Sequence, residues 1–154
     1  MKTLEAVSYK QRLDNLFAQI SAFSGEFELQ SHWARYLCVL VSGFLEVSIC
    51  AIFNQFVKNS ASPQVANFVK HELDSFQNPK MGKILELTRG FDSQWASELE
   101  TATEGQLRDA VDSVVSNRHQ IAHGKDVGIT YTRIKKYYED TIKVVDLIEK
   151  TCGL

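Results

Sequence analysis

The residues best suited to chemistry lie between Asn117 and Gly124. One arginine, two histidines and one asparagine fall within seven consecutive positions near the end of an amphipathic stretch. Successive residues of an α-helix are turned about 100° apart, so His119 and His123 share a face and Arg118 lies on a neighbouring one. The segment therefore presents a permanent cation, titratable imidazoles and an amide at one end of a helix.

These residue types fit the cleavage of RNA. The ribose 2′-hydroxyl must lose a proton, the leaving 5′-oxygen must gain one, and the pentacovalent phosphate carries extra negative charge. Histidine exchanges protons near neutral pH, and the planar guanidinium of arginine matches phosphate oxygens. Because both residue types are present in the segment, this chemistry requires no metal ion.

Two other interpretations of the same residues stay open. In the first, His119 and His123 are surface residues of an ordinary helix and Arg118 is in an ion pair. In the second, they bind catalytic zinc, because their spacing is the zinc-binding half of the H-E-x-x-H motif. Gln120 stands where that motif has its general base, and no third ligand is apparent. The sequence therefore favours a site without metal or cofactor.

Helical periodicity surrounds the segment. A helix over about 104–123 carries it, and a final helix follows over about 130–151. Thr103 and Gln106 have the spacing of a capping box, which predicts the start of the first of these helices. Gly124 can adopt the left-handed conformation that ends it.

The rest of the chain is also predicted to be helical. Apolar residues recur at helical spacing in five earlier segments, separated by Ser24-Gly25, by the loop before Pro63, by Pro79, and by residues 89–92. The segments are about 4–23, 28–58, 63–76, 81–88 and 93–102. The predicted fold is all-α, a four-helix up-and-down bundle with short extra helices, forming a single domain over residues 1–154.

Composition limits the cellular setting and the partners. The three cysteines are odd in number and form no C-x-x-C pair, and the first ten residues lack an apolar signal region, so we expect a reduced, cytoplasmic protein. The apolar run from Tyr36 to Val57 contains Glu46, which favours a core helix over a membrane span. Because the net charge is −2, RNA must be bound by a local patch.

A basic run after the motif is the predicted patch. Lys125, Arg133 and Lys136 are the expected RNA contacts. Tyr137 and Tyr138, in the same run, are interpreted as core or interface residues. We expect the carboxylate of Glu46 to support the site by orienting Arg118 or a histidine.

The segment Asn117-Arg118-His119-Gln120-Ile121-Ala122-His123-Gly124 resembles the R-x(4)-H motif of the HEPN superfamily, in which a polar residue follows the arginine. The helix around Val41–Glu46 is similar to the corresponding family helix. Within the superfamily the chain looks most like the bacterial branch called RiboL-PSP-HEPN.

The resemblance implies a bundle that forms a homodimer, with two motifs facing one composite cleft. Active members are metal-independent endoribonucleases that leave a 2′,3′-cyclic phosphate and act as toxins, in defence or in RNA processing. Carried onto this chain, Arg118 would hold the phosphate, His123 would act as general base or acid, and His119 and Asn117 would support them. The resemblance is also compatible with an antitoxin or a regulatory protein as a binding partner. Inactive members bind RNA or a protein, which is the alternative function.

Overall fold

The computed structural model describes residues 1–22, 25 and 27–154. Within these residues the chain forms seven α-helices and no strand, which confirms the predicted all-α fold. The helices are α1 (Leu4–Ser21), α2 (Phe27–Ser60), α3 (Pro63–Leu73), α4 (Met81–Phe91), α5 (Ser93–Thr103), α6 (Gln106–Ala122) and α7 (Tyr131–Thr151).

The centre of the bundle is α2. It is 34 residues long, and it packs against α1, α3, α6 and α7. Its length and composition would allow it to cross a membrane, but 56% of its most apolar 18-residue window is buried inside the bundle. The core helix of a soluble protein has the same properties.

The motif helix α6 lies against two long neighbours. It packs on α2 and α7, and α2 also packs on α1, so α1, α2, α6 and α7 form the main bundle. The shorter helices α3, α4 and α5 are additions, and α4 and α5 pack on each other. Amphipathic helices gain stability mainly from burying one face in this way, which fixes α6 as a rigid support for the motif.

Two predicted helix boundaries are wrong. Thr103 does not cap the motif helix but ends α5, because its buried hydroxyl donates to the carbonyl of Leu99 at 2.8 Å. The motif helix begins at Gln106 after Gly105, whose φ of 78° is a conformation open mainly to glycine. The chain therefore turns at Gly105, and the capping box does not form.

The predicted break over residues 89–92 is also mostly absent. The helix α4 continues through Phe91, whose ring stacks on Phe53 at a centroid distance of 4.7 Å. Only Asp92 separates α4 from α5, and its carboxylate caps α5 by accepting from the Gln94 and Trp95 amides. Packing of an aromatic side chain here outweighs the weak helix propensity of Gly90.

Other boundaries differ by a few residues. The helix α3 ends at Leu73 rather than at Phe76, and α1 ends at Ser21. The predicted end of α1 at Phe23 and the predicted terminator Ser24 lie outside the described residues. By contrast, Thr130 caps α7 as predicted, since its hydroxyl accepts from the Arg133 amide at 3.2 Å.

Candidate functional site

The end of α6 is held tightly in place. Val111, Val114 and Val115 are buried, and the thiol of Cys38 on α2 donates to the Val114 carbonyl at 3.5 Å. After the helix, Arg35 of α2 pairs with Asp126 at 2.9 Å. The last turns of α6 and the loop after them are thus both tied to α2.

The motif coincides with a complete helix-ending turn. His123 is the residue that caps α6, and Gly124 follows with a φ of 69°, as the sequence predicts. The amide of Gly124 donates to Ile121 O, and the amide of Lys125 donates to Gln120 O, both at 3.0 Å. This is the hydrogen-bond pattern of a Schellman motif, which fixes the backbone of His123.

His119 and His123 form a pair. Their ring centroids are 4.5 Å apart at an interplanar angle of 64°, and both residues are exposed. Across the described chain neither imidazole has a hydrogen-bond or ion-pair partner. The structure therefore brings the two predicted histidines together and leaves their nitrogens open to solvent or a ligand.

Arg118 points to another side of the helix. Its Nη1 donates to Oδ1 of Asn78 at 3.1 Å, and the amide of Asn78 donates to Oε2 of Glu46 at 3.2 Å. Glu46 thus reaches the motif through Asn78 rather than by direct contact with Arg118. Among the described carboxylates none forms an ion pair with Arg118, so its positive charge remains available to an anion.

Asn78 is the residue that sequence reasoning missed. It lies in the loop between α3 and α4 and has a φ of 53°, a left-handed conformation that asparagine adopts more readily than other non-glycine residues. The signal available in the sequence was an asparagine immediately before Pro79, a pattern typical of a turn. It gave no indication that the side chain would meet Arg118.

A polar groove lies beside the motif, between α6 and α7. Its volume is about 1160 Å³, and Asn117, Arg133 and Lys136 are among the residues that line it. Asn117 Nδ2 also donates to the Ser113 carbonyl at 2.9 Å. Lys125 is exposed and is not among the lining residues. Three of the five predicted supporting and RNA-binding residues therefore meet in this groove, whereas Lys125 and Glu46 lie outside it.

The groove is mixed in charge rather than uniformly basic. Asp109 and Asp112 line it together with Asp140, which is only 1% exposed. Lys136 approaches Asp140 Oδ1 at 3.4 Å, and Lys143 approaches the same atom at 2.8 Å. Arg133 therefore carries the least compensated positive charge in the groove.

The electrostatics of Asp140 follow from these contacts. Burial alone would raise the pKa of its carboxyl group. Hydrogen bonds from Lys143, Gln106 and Lys136 outweigh burial and hold the pKa below its usual value. Asp140 therefore stays ionised and acts as the anchor of this part of α7.

The tyrosines differ in role. Tyr138 is buried, and its hydroxyl donates to Asp14 at 2.8 Å, so it is a core residue as predicted. Tyr137 is half-buried at the edge of the groove, with the Arg133 guanidinium 6.0 Å from its ring centroid. Of these two tyrosines, Tyr137 is the one whose ring borders the groove.

A comparison with family models identifies the class. The site combines an R-x(4)-H segment with an all-α bundle, and the model named RiboL-PSP-HEPN matches residues 5–153. The protein is thus of the HEPN type, a class of nuclease-like or RNA-related modules. The chain belongs to the RiboL-PSP-HEPN family. No curated protein and no solved structure matches the chain significantly.

Proposed function

We propose that this protein is a metal-independent endoribonuclease that cuts single-stranded RNA and leaves a 2′,3′-cyclic phosphate. One observation carries the proposal: two exposed imidazoles, 4.5 Å apart, share the end of α6 with an arginine that has no carboxylate partner in the described chain. Neither the two imidazoles nor the guanidinium forms an ion pair within the described residues, so charge pairing does not account for their presence. The arrangement suits a phosphate and two proton transfers better than it suits stability.

The chemistry assigns a role to each residue. The Arg118 guanidinium binds non-bridging oxygens of the scissile phosphate, where charge builds up in the transition state. His123 takes the proton of the 2′-hydroxyl as that oxygen attacks phosphorus, or gives a proton to the leaving 5′-oxygen. His119 supports the ring of His123 from one helical turn away. The products are the cyclic phosphate and a 5′-hydroxyl.

In-line attack needs groups on both sides of the phosphorus atom, and a second copy of the chain can supply them. An apolar stripe on α2 faces solvent, with Tyr36 50% exposed, Val39 36% and Val47 38%. Glu46 lies in the same stretch and contacts Asn78, which binds Arg118. We propose that the homodimer forms through this stripe, since that would bring two motifs to one cleft.

The groove between α6 and α7 is the proposed path of the RNA strand. Arg133 and Lys136 would contact phosphates there, and Asn117 would contact a base or sugar next to the cleaved bond. Lys125, outside the groove, would contact the strand beyond the motif. Because few cations contact the strand and the groove also contains carboxylates, we expect modest affinity and a shallow dependence of binding on salt.

The proposed biological role is that of a toxin, a defence factor or an RNA-processing enzyme, with an antitoxin or other regulatory protein as a further partner. The mixed charge of the groove supports a second candidate, a catalytically silent module that binds RNA or a protein. Both candidates share the fold and the dimer. They differ in whether the histidines act on RNA.

One experiment separates the two. Purified wild type and His123→Ala are incubated with a mixed single-stranded RNA in EDTA, and the product ends are analysed. We expect the wild type to leave cyclic phosphates and the variant to lose at least about a hundredfold in rate. His71→Ala is the matched control, because His71 lies on α3 and its side chain is 85% exposed.

Two outcomes would contradict the nuclease. Cleavage that disappears in EDTA would exclude the metal-independent mechanism. Equal cleavage by wild type and His123→Ala would point to a contaminating activity. Binding of RNA without cleavage by any preparation would favour the silent module.

A further inference from the structure

His119 and His123 have the i, i+4 spacing from which two imidazoles can bind one metal ion on a helix. They are separated by one helical turn, and their ring centroids are 4.5 Å apart. Zinc–imidazole bonds of about 2.0–2.1 Å place two nitrogens roughly 3.3 Å apart at a tetrahedral angle. Because both side chains are exposed and one helical turn apart, rotation of the two imidazoles can bring one nitrogen of each to that spacing.

The backbone of the pair is preorganised. His119 lies on the packed helix α6, and His123 is fixed by the helix-ending turn at Gly124 and Lys125. Neither ring has another polar partner among the described residues, so no existing hydrogen bond would be lost on binding. Because the backbone of both residues is fixed, only the two side chains lose conformational freedom when an ion binds.

We propose that His119 and His123 form a chelating site for a divalent transition-metal ion of the Zn²⁺ class, and that a bound ion inhibits RNA cleavage. The ion binds the nitrogen lone pair that would otherwise accept a proton. An imidazole that holds the ion therefore cannot act as a general base at that nitrogen. Binding to the pair releases any proton that the two imidazoles carry. The inhibition rests on the proposed function, whereas the binding site does not.

The site is inhibitory rather than catalytic for a structural reason. No cluster of three or more histidine, cysteine, aspartate or glutamate side chains suited to a metal occurs in the described part of the chain. Catalytic zinc sites use three protein ligands and a nearby general base, and Gln120 offers no base. With two ligands, the ion is held exchangeably and completes its coordination with water.

The binding experiment is calorimetric titration of Zn²⁺ into the metal-free full-length protein near neutral pH. We expect one ion per chain for the wild type and for His71→Ala. Removing an outer-sphere partner of a metal ligand already costs about 10–100-fold in affinity, so loss of a ligand should cost at least tenfold. His119→Ala and His123→Ala should each show this loss, with helicity checked by circular dichroism.

A second measurement covers the case in which a variant fails to fold. Nuclear magnetic resonance of the histidine rings in the wild type should show shifts of His119 and His123 on addition of Zn²⁺, with the rings of His32 and His71 unchanged. Absence of binding overturns the site. So does binding that survives in the folded variants His119→Ala and His123→Ala.

The cleavage arm tests inhibition separately. Zn²⁺ at saturating concentration should slow wild-type cleavage at least tenfold, and EDTA should restore the rate. Unchanged cleavage by the zinc-loaded protein overturns the inhibition. A protein that binds Zn²⁺ through the pair but never cleaves RNA overturns the proposed nuclease and leaves the binding site standing.

Discussion

Arg118 and Asn78, forty positions apart in the chain, are joined by a hydrogen bond of 3.1 Å between Nη1 and Oδ1. This bond connects the motif helix to the loop between α3 and α4. Glu46 on α2 accepts from the Asn78 amide, so three separate parts of the chain determine where the guanidinium lies. The position of the arginine is therefore a product of tertiary structure.

Asn78→Gly should impair RNA cleavage through the position of Arg118. Glycine keeps the left-handed backbone and the amide contact to Glu46 but removes the side-chain acceptor. The bond is exposed to solvent and contributes about 0.5–1.5 kcal/mol, so we expect up to roughly a tenfold loss in kcat/KM. Asn78→Asp would instead give Arg118 a carboxylate partner that competes with phosphate, so it should impair cleavage as well. An unchanged kcat/KM in Asn78→Gly would contradict the positioning role.

Val39→Glu should disrupt the proposed homodimer. A carboxylate buried in an apolar interface without a partner is strongly unfavourable. We expect a folded monomer by light scattering and loss of cleavage, because each cleft would then have one motif. Val65→Glu is the control, since Val65 is 50% exposed on α3 and lies outside the stripe. A dimeric Val39→Glu protein would place the interface elsewhere.

Gly124→Ala should destabilise the protein by about 1–2 kcal/mol, since a side chain at positive φ is strained. An added Cβ would meet no atom within 4 Å, so the cost comes from the backbone alone. Gly90→Ala is the converse control, because it lies inside α4 with equal space and should stabilise by roughly 0.5–1 kcal/mol. Urea unfolding measures both, and a neutral Gly124→Ala would argue against the helix-ending turn.

Asp140→Asn should lower stability in a pH-dependent way. The folded pKa of Asp140 is below the usual 3.8, so its charge stabilises the fold above that value and ceases to do so as pH falls through the folded pKa. We expect a loss of about 1–3 kcal/mol at neutral pH that shrinks below about pH 4. Asp109→Asn, exposed in the same groove, should change little. A difference that is independent of pH would contradict the ion-pair role.

Periodicity and local turn chemistry predicted most of the fold. The caps at Thr130 and Gly124 depend on neighbouring residues only, and both are confirmed. The error at Thr103 also lies in a local contact, whereas the error at residues 89–91 has the opposite origin. The Thr103 hydroxyl donates to a carbonyl of its own helix, α5. Phe91, by contrast, extends α4 by stacking on Phe53 of α2, which is a contact between two helices. Such contacts leave no local signal in the sequence.

The residues of the candidate site also differ in whether local or long-range contacts determine their positions. His119 and His123 come together because the helix repeat requires it, so the sequence was sufficient to predict their proximity. The partner of Arg118 was not predictable, because Asn78 reaches the motif only after α3, α4 and α6 have packed on α2. The separation of Arg118 from the groove that contains Arg133 also depends on how α6 and α7 are rotated against each other.

The bond between Arg118 and Asn78 has a consequence for protein synthesis. The ribosome releases Asn78 well before Arg118, and α7 emerges after both. A nascent chain that stops short of α7 contains Glu46, Asn78 and Arg118 but lacks one of the two long helices against which α6 packs. The residues that position the arginine are therefore synthesised first, and the helix that completes the support of α6 is synthesised last.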